Sequence, residues 1–331
     1  MIVPSLSAVK KNMPKEKVTK LQFGAKSTLF AQDSDSAQIV YSQSSMSICA
    51  ETEPVQNSSN LASKASFATP SKIILYADQG VDGGGLRHLI ASFREIINPT
   101  FYSLQRVKAK DLVEEGWEED TALLVIPGGR DIFYHALLNG RGTDKIRSFI
   151  EKGGKYLGIC AGAYFACETI EFEKGGILEV CASRSLRLFP GIAMGPAFGL
   201  NKYSYENHRG AEAAKISWKD KEFYVYFNGG CTFAAEKKFP FVRQISSYLD
   251  LNGHPPAMME IEVGKGLALL SGVHFEYSVQ FLNKEDQYLS RLYPLLSQSE
   301  DKRKILFGEI LKRLGISLVS EKKNDKCAPI F

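Results

Sequence analysis

Three unbroken apolar runs, KIILYA from Lys72, ALLVI from Ala122 and KYLGI from Lys155, each give way to a glycine-bearing turn. A strand buried on both faces needs such a run. Helical spacing fills the intervals. Leu86, Leu89, Ile90, Phe93 and Ile97 repeat along LRHLIASFREII, and Asn98-Pro99 closes that helix. TFYSLQRV predicts a second strand and 108–116 a short helix. DIFYHALLNG and DKIRSFIEKGG predict further helices, the latter capped by Gly153. Strands alternating with helices require parallel crossovers. The expected fold is therefore α/β, a three-layer α/β/α sandwich with a mostly parallel sheet. Ligands in such sheets sit at the carboxyl ends of the strands, where these glycine turns fall.

After Glu173 the runs shorten: LEVCAS, KISW, FYVYFN, MEIEVG and GLALLSGVHF predict a mixed or antiparallel extension of the same sheet. EDQYLSRLYPLL and DKRKILFGEILKRLG predict two amphipathic helices.

The run KYLGI enters Gly158-Ile159-Cys160-Ala161-Gly162, followed by the small residues of 161–167. Glycines on both sides of a cysteine, between a strand and a helix, predict a sharp elbow with the sulfur at its tip. Unpaired N–H groups at a helix N-terminus favour thiolate over thiol. A buried cysteine in an ordinary glycine turn fits the same letters, so the reading needs context.

Two stretches supply it. In Ile126-Pro127-Gly128-Gly129-Arg130-Asp131, a buried strand ends in two glycines that leave N–H groups free. The N–H of Gly129, with that of Ala161 after the cysteine, could hold an oxyanion above Cys160. In Gly272-Val273-His274-Phe275-Glu276, residues two apart share a strand face, so His274 and Glu276 can reach one locus. A carboxylate that fixes a histidine beside a thiol is the Cys–His–acid arrangement of acyl transfer. An ordinary strand–helix turn and a surface ion pair are the alternatives. The other histidines, His88, His135, His208 and His254, lack such a setting. The stretch 224–232 brings Asn228, Gly229 and Gly230 to a strand end, either as a hairpin or as a pocket border. Cys167 and Cys231 read as packed thiols. DQGVDGGG (78–85) could cradle an anion, but matches neither the P-loop nor the dinucleotide fingerprint.

Composition narrows the partners. A hydrophobic content of 44%, a charged content of 24% and a net charge of +4 describe a soluble globular chain with no strong field. No nucleic-acid or membrane partner is expected. The six cysteines are scattered without a Cys-x-x-Cys pair, so neither a metal site, a cofactor nor a disulfide framework is expected. A reducing, cytoplasmic setting is the default. No apolar run approaches the roughly 18 residues of a membrane span. The N-terminal lysines are not followed by the apolar core of a secretory signal. Residues 1–70, rich in Ser, Ala, Gln, Asn and Lys, predict a disordered leader, and 320–331 a charged tail. One domain, 71–319, is expected between them.

Taken in order, the Gly-Gly turn, the cysteine elbow and the late Gly-Val-His-x-Glu resemble the class I glutamine amidotransferase-like fold, a flavodoxin-like sandwich. The resemblance implies Cys160 as nucleophile, His274 and Glu276 as its triad partners, and Gly129 and Ala161 as oxyanion donors. Gly128, Arg130, Asp131, Tyr164, Asn228, Gly229 and Gly230 are the candidate substrate-binding residues around them. PGGRD, GICAGAYFAC, EFE (171–173), LFPG (188–191), GPAF (195–198), FYVYFNGGCTF and GVHFEYS together are similar to the N-terminal domain of eukaryotic-type biotin–protein ligases and the stand-alone proteins built on it. That similarity covers about residues 72 to 280. Two departures narrow the implied activity. Glutaminase elbows usually continue with Gly-His-Gln, whose side chains help hold glutamine, and here Gly162-Ala163-Tyr164 stands instead. Glutamine is therefore not implied as the substrate. No ligase catalytic domain is expected after residue 320, so biotin ligation is not expected either. The implied activity is that of a cysteine-dependent amidohydrolase or amidotransferase-like protein acting on a small-molecule amide. The alternative is a non-catalytic small-molecule-binding or regulatory module on the same fold. The sequence leaves the oligomeric state open.

Overall fold

The computed structural model describes residues 72–114 and 116–319. The expected leader and tail lie outside the described residues. The chain opens with strands β1 (Lys72–Tyr76), β2 (Ser103–Val107), β3 (Thr121–Ile126) and β4 (Lys155–Ile159). Helices α1 (Gly83–Ile96), α2 (Ala109–Val113), α3 (Asp131–Leu138) and α4 (Arg141–Glu151) connect them, and α5 (Ala161–Phe165) follows β4. The strands after α5 are β5 (Cys167–Phe172), β6 (Val180–Ser183), β7 (Phe189–Gly195), β8 (Glu212–Trp218) and β9 (Lys221–Phe227). They continue with β10 (Thr232–Ala234), β11 (Val242–Ser247), β12 (Pro256–Val263) and β13 (Gly266–Ser271), and helices α6 (Tyr293–Gln298) and α7 (Glu300–Arg313) come last.

The central sheet has seven strands in the order β11-β12-β13-β4-β3-β1-β2. β2, β1, β3, β4 and β13 are parallel, while β12 and β11 continue the sheet antiparallel. Alternating side chains of the central strands enter two separate cores. Ile73 and Leu75, with Leu123 and Val125, pack against Leu89 and Phe93 of α1 and Phe307 of α7. Ile74 and Tyr76, with Leu124 and Ile126, pack against Leu112, Leu138 and Ile146 on the opposite face. This is why the runs are unbroken in sequence: both faces of each strand are covered, as the three-layer expectation requires. Each fully buried Leu or Ile contributes about 1.5–3 kcal/mol, so the central strands are the most strongly held part of the fold.

Several details differ from the sequence expectation. Of the runs after Glu173, only MEIEVG and GLALLS join the central sheet, and GLALLS does so in parallel with β4. LEVCAS forms part of a separate four-stranded sheet, β10-β7-β5-β6, where its β6 is an exposed edge strand. KISW and FYVYFN pair as the hairpin β8-β9, whose Ile216, Phe223 and Val225 pack into the same core as Phe307. The first predicted C-terminal helix is shortened to α6. Asp286 takes the N–H groups of Tyr288 and Leu289 in a side-chain turn, and the helix starts only near Pro294. Among the described residues no helix is long and apolar enough to cross a membrane.

Candidate functional site

The elbow is built as its letters demand. Cys160 takes φ 50°, a left-handed value that a non-glycine residue adopts only where the surroundings enforce it. Its own N–H donates to the Ser271 carbonyl at 2.7 Å, tying the turn to the end of β13. A Cβ on Gly158 would come within 2.6 Å of the Gly162 carbonyl oxygen, and one on Gly162 within 1.9 Å of the Ile126 oxygen. Both flanking glycines are therefore required by close backbone approach.

Parallel pairing of β13 with β4 carries the chain after Ser271 to the same edge as the elbow. The His274 N–H donates to the Tyr226 carbonyl at 2.8 Å, which brings in the end of β9. On one side the His274 imidazole borders the cavity it shares with Cys160, whose sulfur acts on it electrostatically. On the other, Nδ1 lies 2.7 Å from Glu276 Oε1. Cys160, His274 and Glu276 are 6%, 5% and 1% exposed. Burial opposes a charged imidazole, but the Glu276 carboxylate and the Cys160 sulfur outweigh it and hold the His274 pKa well above its ordinary value. Glu276 Oε2 is buried without a hydrogen-bond partner.

Cys160, His274, Asn228, Arg130 and Gly129 line one cavity of about 500 Å³. A smaller recess of about 20 Å³ adjoins Cys160, between Gly129, Ala161, Tyr164 and Gly229. The N–H groups of Gly129 and Ala161 make no hydrogen bond among the described residues. Gly128 lies against the imidazole, where a Cβ would stand 2.7 Å from His274 Cε1. The Arg130 guanidinium stacks over Tyr205 at 4.1 Å from the ring centroid.

Three of the candidate substrate-binding residues have other duties. Asp131 reaches only the small recess, and its carboxylate is bound by Arg184 Nε at 2.7 Å. Gly230 lines neither cavity, because a Cβ there would meet the Gly272 oxygen at 1.7 Å. It is a close-packing glycine. Tyr164 donates its hydroxyl to the Gly229 carbonyl at 3.1 Å and so holds the 228–230 turn. That turn is not a hairpin, since β9 pairs with β8 and β10 with β7. Asn228 borders the main cavity, and its carbonyl oxygen lies 3.8 Å from Cys160 Sγ. Cys167 and Cys231 are buried, and burial pushes both thiols well up in pKa, as packed thiols should be.

Several lining residues escaped the sequence reading. The loop 203–208 supplies Tyr203, Tyr205 and His208, and Tyr226 and Tyr277 complete an aromatic wall. His208 Nδ1 is 3.0 Å from the Tyr226 hydroxyl, so this histidine does have a setting at the site. Asp82, the cap of α1, accepts from the N–H groups of Gly84 and Gly85 and from the Tyr277 hydroxyl. Burial disfavours its charge, but these donors keep its pKa below the ordinary carboxylate value. The helix N-terminus at DQGVDGGG is therefore occupied by the protein's own anion. The Asp82-x-x-Gly85 spacing was the available cue for that cap. Among the described residues no group of three or more His, Cys, Asp or Glu is placed to hold a metal ion.

The architecture is a layered α/β fold around a mostly parallel sheet, and comparison with known proteins gives the family. A family profile described as "Biotin-protein ligase, N terminal" matches residues 71–330. An uncharacterized protein of Chlamydia muridarum is 41% identical over 220 residues, which cover 65% of this chain and 84% of that protein. The biotin–protein ligase of Schizosaccharomyces pombe is 31% identical over 263 residues, covering 77% of this chain but 39% of the ligase. Among solved structures, a glutamine amidotransferase from Thermotoga maritima aligns with a TM-score of 0.46 at 13% identity, over 74% of this chain and 98% of that one. By the extent of the profile match, the chain belongs to the biotin–protein ligase N-terminal family.

Proposed function

We propose that the chain is a cysteine-dependent amidohydrolase or amidotransferase-like enzyme acting on a small amide. The observation that carries this reading is the placement of His274 between Cys160 and Glu276 in a lined cavity. In the proposed reaction the Cys160 proton passes to the His274 side as the sulfur attacks the amide carbonyl and forms a C–S bond. The oxyanion is met by the free N–H groups of Gly129 and Ala161. The C–N bond then breaks, and the amine leaves with the proton returned from His274. Water, or an acceptor amine, takes the acyl group from sulfur and regenerates the thiol. Glu276 holds the imidazole in one tautomer and balances its charge throughout. The Ala163-Tyr164 continuation of the elbow favours an amide other than glutamine.

A panel of small p-nitroanilides, read by mass spectrometry, tests the proposal. An acyl adduct on Cys160, absent in Cys160→Ser and slowed in His274→Ala, is the expected result. Retained binding of the same amides with no adduct on any of them would overturn turnover and leave a binding or regulatory module.

A further inference from the structure

After β13 the chain makes a turn, 273–279, that carries both His274 and Glu276. Its backbone is satisfied largely by side chains from two helices. From α1, Ser92 donates its hydroxyl to the Glu276 carbonyl at 2.8 Å, and His88 Nδ1 accepts the Ser278 N–H at 3.2 Å. From α7, Arg303 Nη1 donates to the Phe275 carbonyl at 3.0 Å. Glu300 accepts the Ser278 hydroxyl at 2.7 Å and the Val279 N–H at 3.3 Å. Arg303 and Glu300 are themselves paired through two contacts, at 3.0 and 2.7 Å. Arg303 is 3% exposed and the Glu300 side chain 15%, so the pair is largely shielded from solvent.

We propose that Arg303 and Glu300 are positioning residues of the candidate site, fixing the 273–279 turn and through it the place of His274 beside Cys160. The inference rests on the reading in which His274 serves Cys160. Neither side chain touches the cavity, so their effect passes only through the backbone they hold. The bonds span the turn from Phe275 to Val279, and Arg303 Nη1 also reaches Ser92 Oγ at 3.4 Å, so the holds from the two helices are joined. A planar guanidinium bound to a carboxylate at two points has little freedom to follow a shifting turn. The arrangement therefore converts the packing of α7 into the orientation of one imidazole. Tolerances in such sites are small, because a misplacement of about 1 Å can cost about a hundredfold in rate.

The test compares Arg303→Met with Arg313→Met in the full chain. Arg313 sits on the same helix but pairs with buried Glu260 of β12, at 2.7 Å, away from the turn. The first readout is the ring-nitrogen NMR signals of His274 across pH, assigned by their loss in His274→Ala. The second is the rate of Cys160 alkylation by iodoacetamide. Arg303→Met is expected to move the His274 signals and to slow alkylation about tenfold, a partial form of that loss. Arg313→Met is expected to lower the melting temperature while leaving both unchanged. Should Arg303→Met not fold, Ser278→Ala removes the hydroxyl held by Glu300 and is expected to move the same signals by less. His274 signals that superimpose on wild type in the folded variant overturn the clamp. Alkylation unaltered in His274→Ala would instead overturn the proposed function, while the ring signals still judge the clamp.

Discussion

His274 Nδ1 lies 2.7 Å from Glu276 Oε1, and the second carboxylate oxygen is buried with no partner. One oxygen of this buried carboxylate is thus committed to one imidazole, an arrangement that stability alone does not favour. Glu276→Gln keeps the shape and removes the charge. The expected outcome is acyl-adduct formation slowed by about 10²–10⁴. The melting temperature should fall too, because the buried imidazolium loses its counter-charge. Adduct formed at the wild-type rate in folded Glu276→Gln, measured by adduct mass alongside calorimetry, would mean that Glu276 is structural.

Cys160 should be alkylated ahead of the other described cysteines. Cys181 is exposed, but desolvation and the nearby Glu179 and Glu171 charges raise its thiol pKa. Cys167 and Cys231 are both buried and raised. At about pH 6.5, iodoacetamide should therefore mark Cys160 first despite its low exposure, since the thiolate is the reacting species. Peptide mapping after a short exposure checks the order. Labelling of Cys181 before Cys160 in folded protein counts against an activated sulfur.

The main sheet was legible because its signal is local. Unbroken runs at Lys72, Ala122 and Lys155 can only be strands with both faces covered, and they became β1, β3 and β4. The elbow and the His-x-Glu pair were legible for the same reason, each being complete within a few residues. What escaped depends on distant partners. Nothing near Asp131 says that Arg184, 53 residues on, will take its carboxylate. Nothing in 203–208 has a period, so a loop that supplies Tyr203, Tyr205 and His208 to the cavity reads as surface. Gly230 looked like a pocket glycine, but its lack of a side chain serves the Gly272 backbone.

The charge on His274 should appear as a pH dependence of stability. Burial works against its protonated form, yet Glu276 and Cys160 raise its folded pKa well above the ordinary 6.5. The folded state therefore binds a proton that the unfolded state releases between these two values. Stability from this site is full below about pH 6.5 and is lost as pH rises through the raised value, with a slope of up to about 1.4 kcal/mol per pH unit. Urea midpoints taken from about pH 6 to 9 should decline in wild type and flatten in His274→Gln. Equal declines in both would assign the proton elsewhere.

Gly128 and Gly129 are adjacent, yet their alanine variants should fail in different ways. Gly129 has φ 147°, in the region that side chains avoid, and its Cβ would stand 2.0 Å from the Gly80 carbonyl oxygen. That oxygen also accepts the Arg130 N–H at 2.8 Å, so backbone would have to move against a bond already made. Gly129→Ala should therefore cost stability first, about 1–3 kcal/mol or more, with loss of the site as a consequence. The nearest atoms to a Cβ on Gly128 belong to side chains. Its Cβ would lie 2.7 Å from His274 Cε1 and 3.6 Å from Cys160 Cβ. Relief is available by rotating the imidazole away, at the expense of the contacts it makes with Glu276 and Cys160. Gly128→Ala should therefore stay folded, with a melting temperature within a few degrees of wild type. Its acyl-adduct formation should nevertheless fall by about a hundredfold, since His274 is displaced from the sulfur. Thermal melts and adduct mass on the two variants side by side check the contrast. Unimpaired adduct formation in Gly128→Ala would mean that His274 does not act from the position the structure gives it.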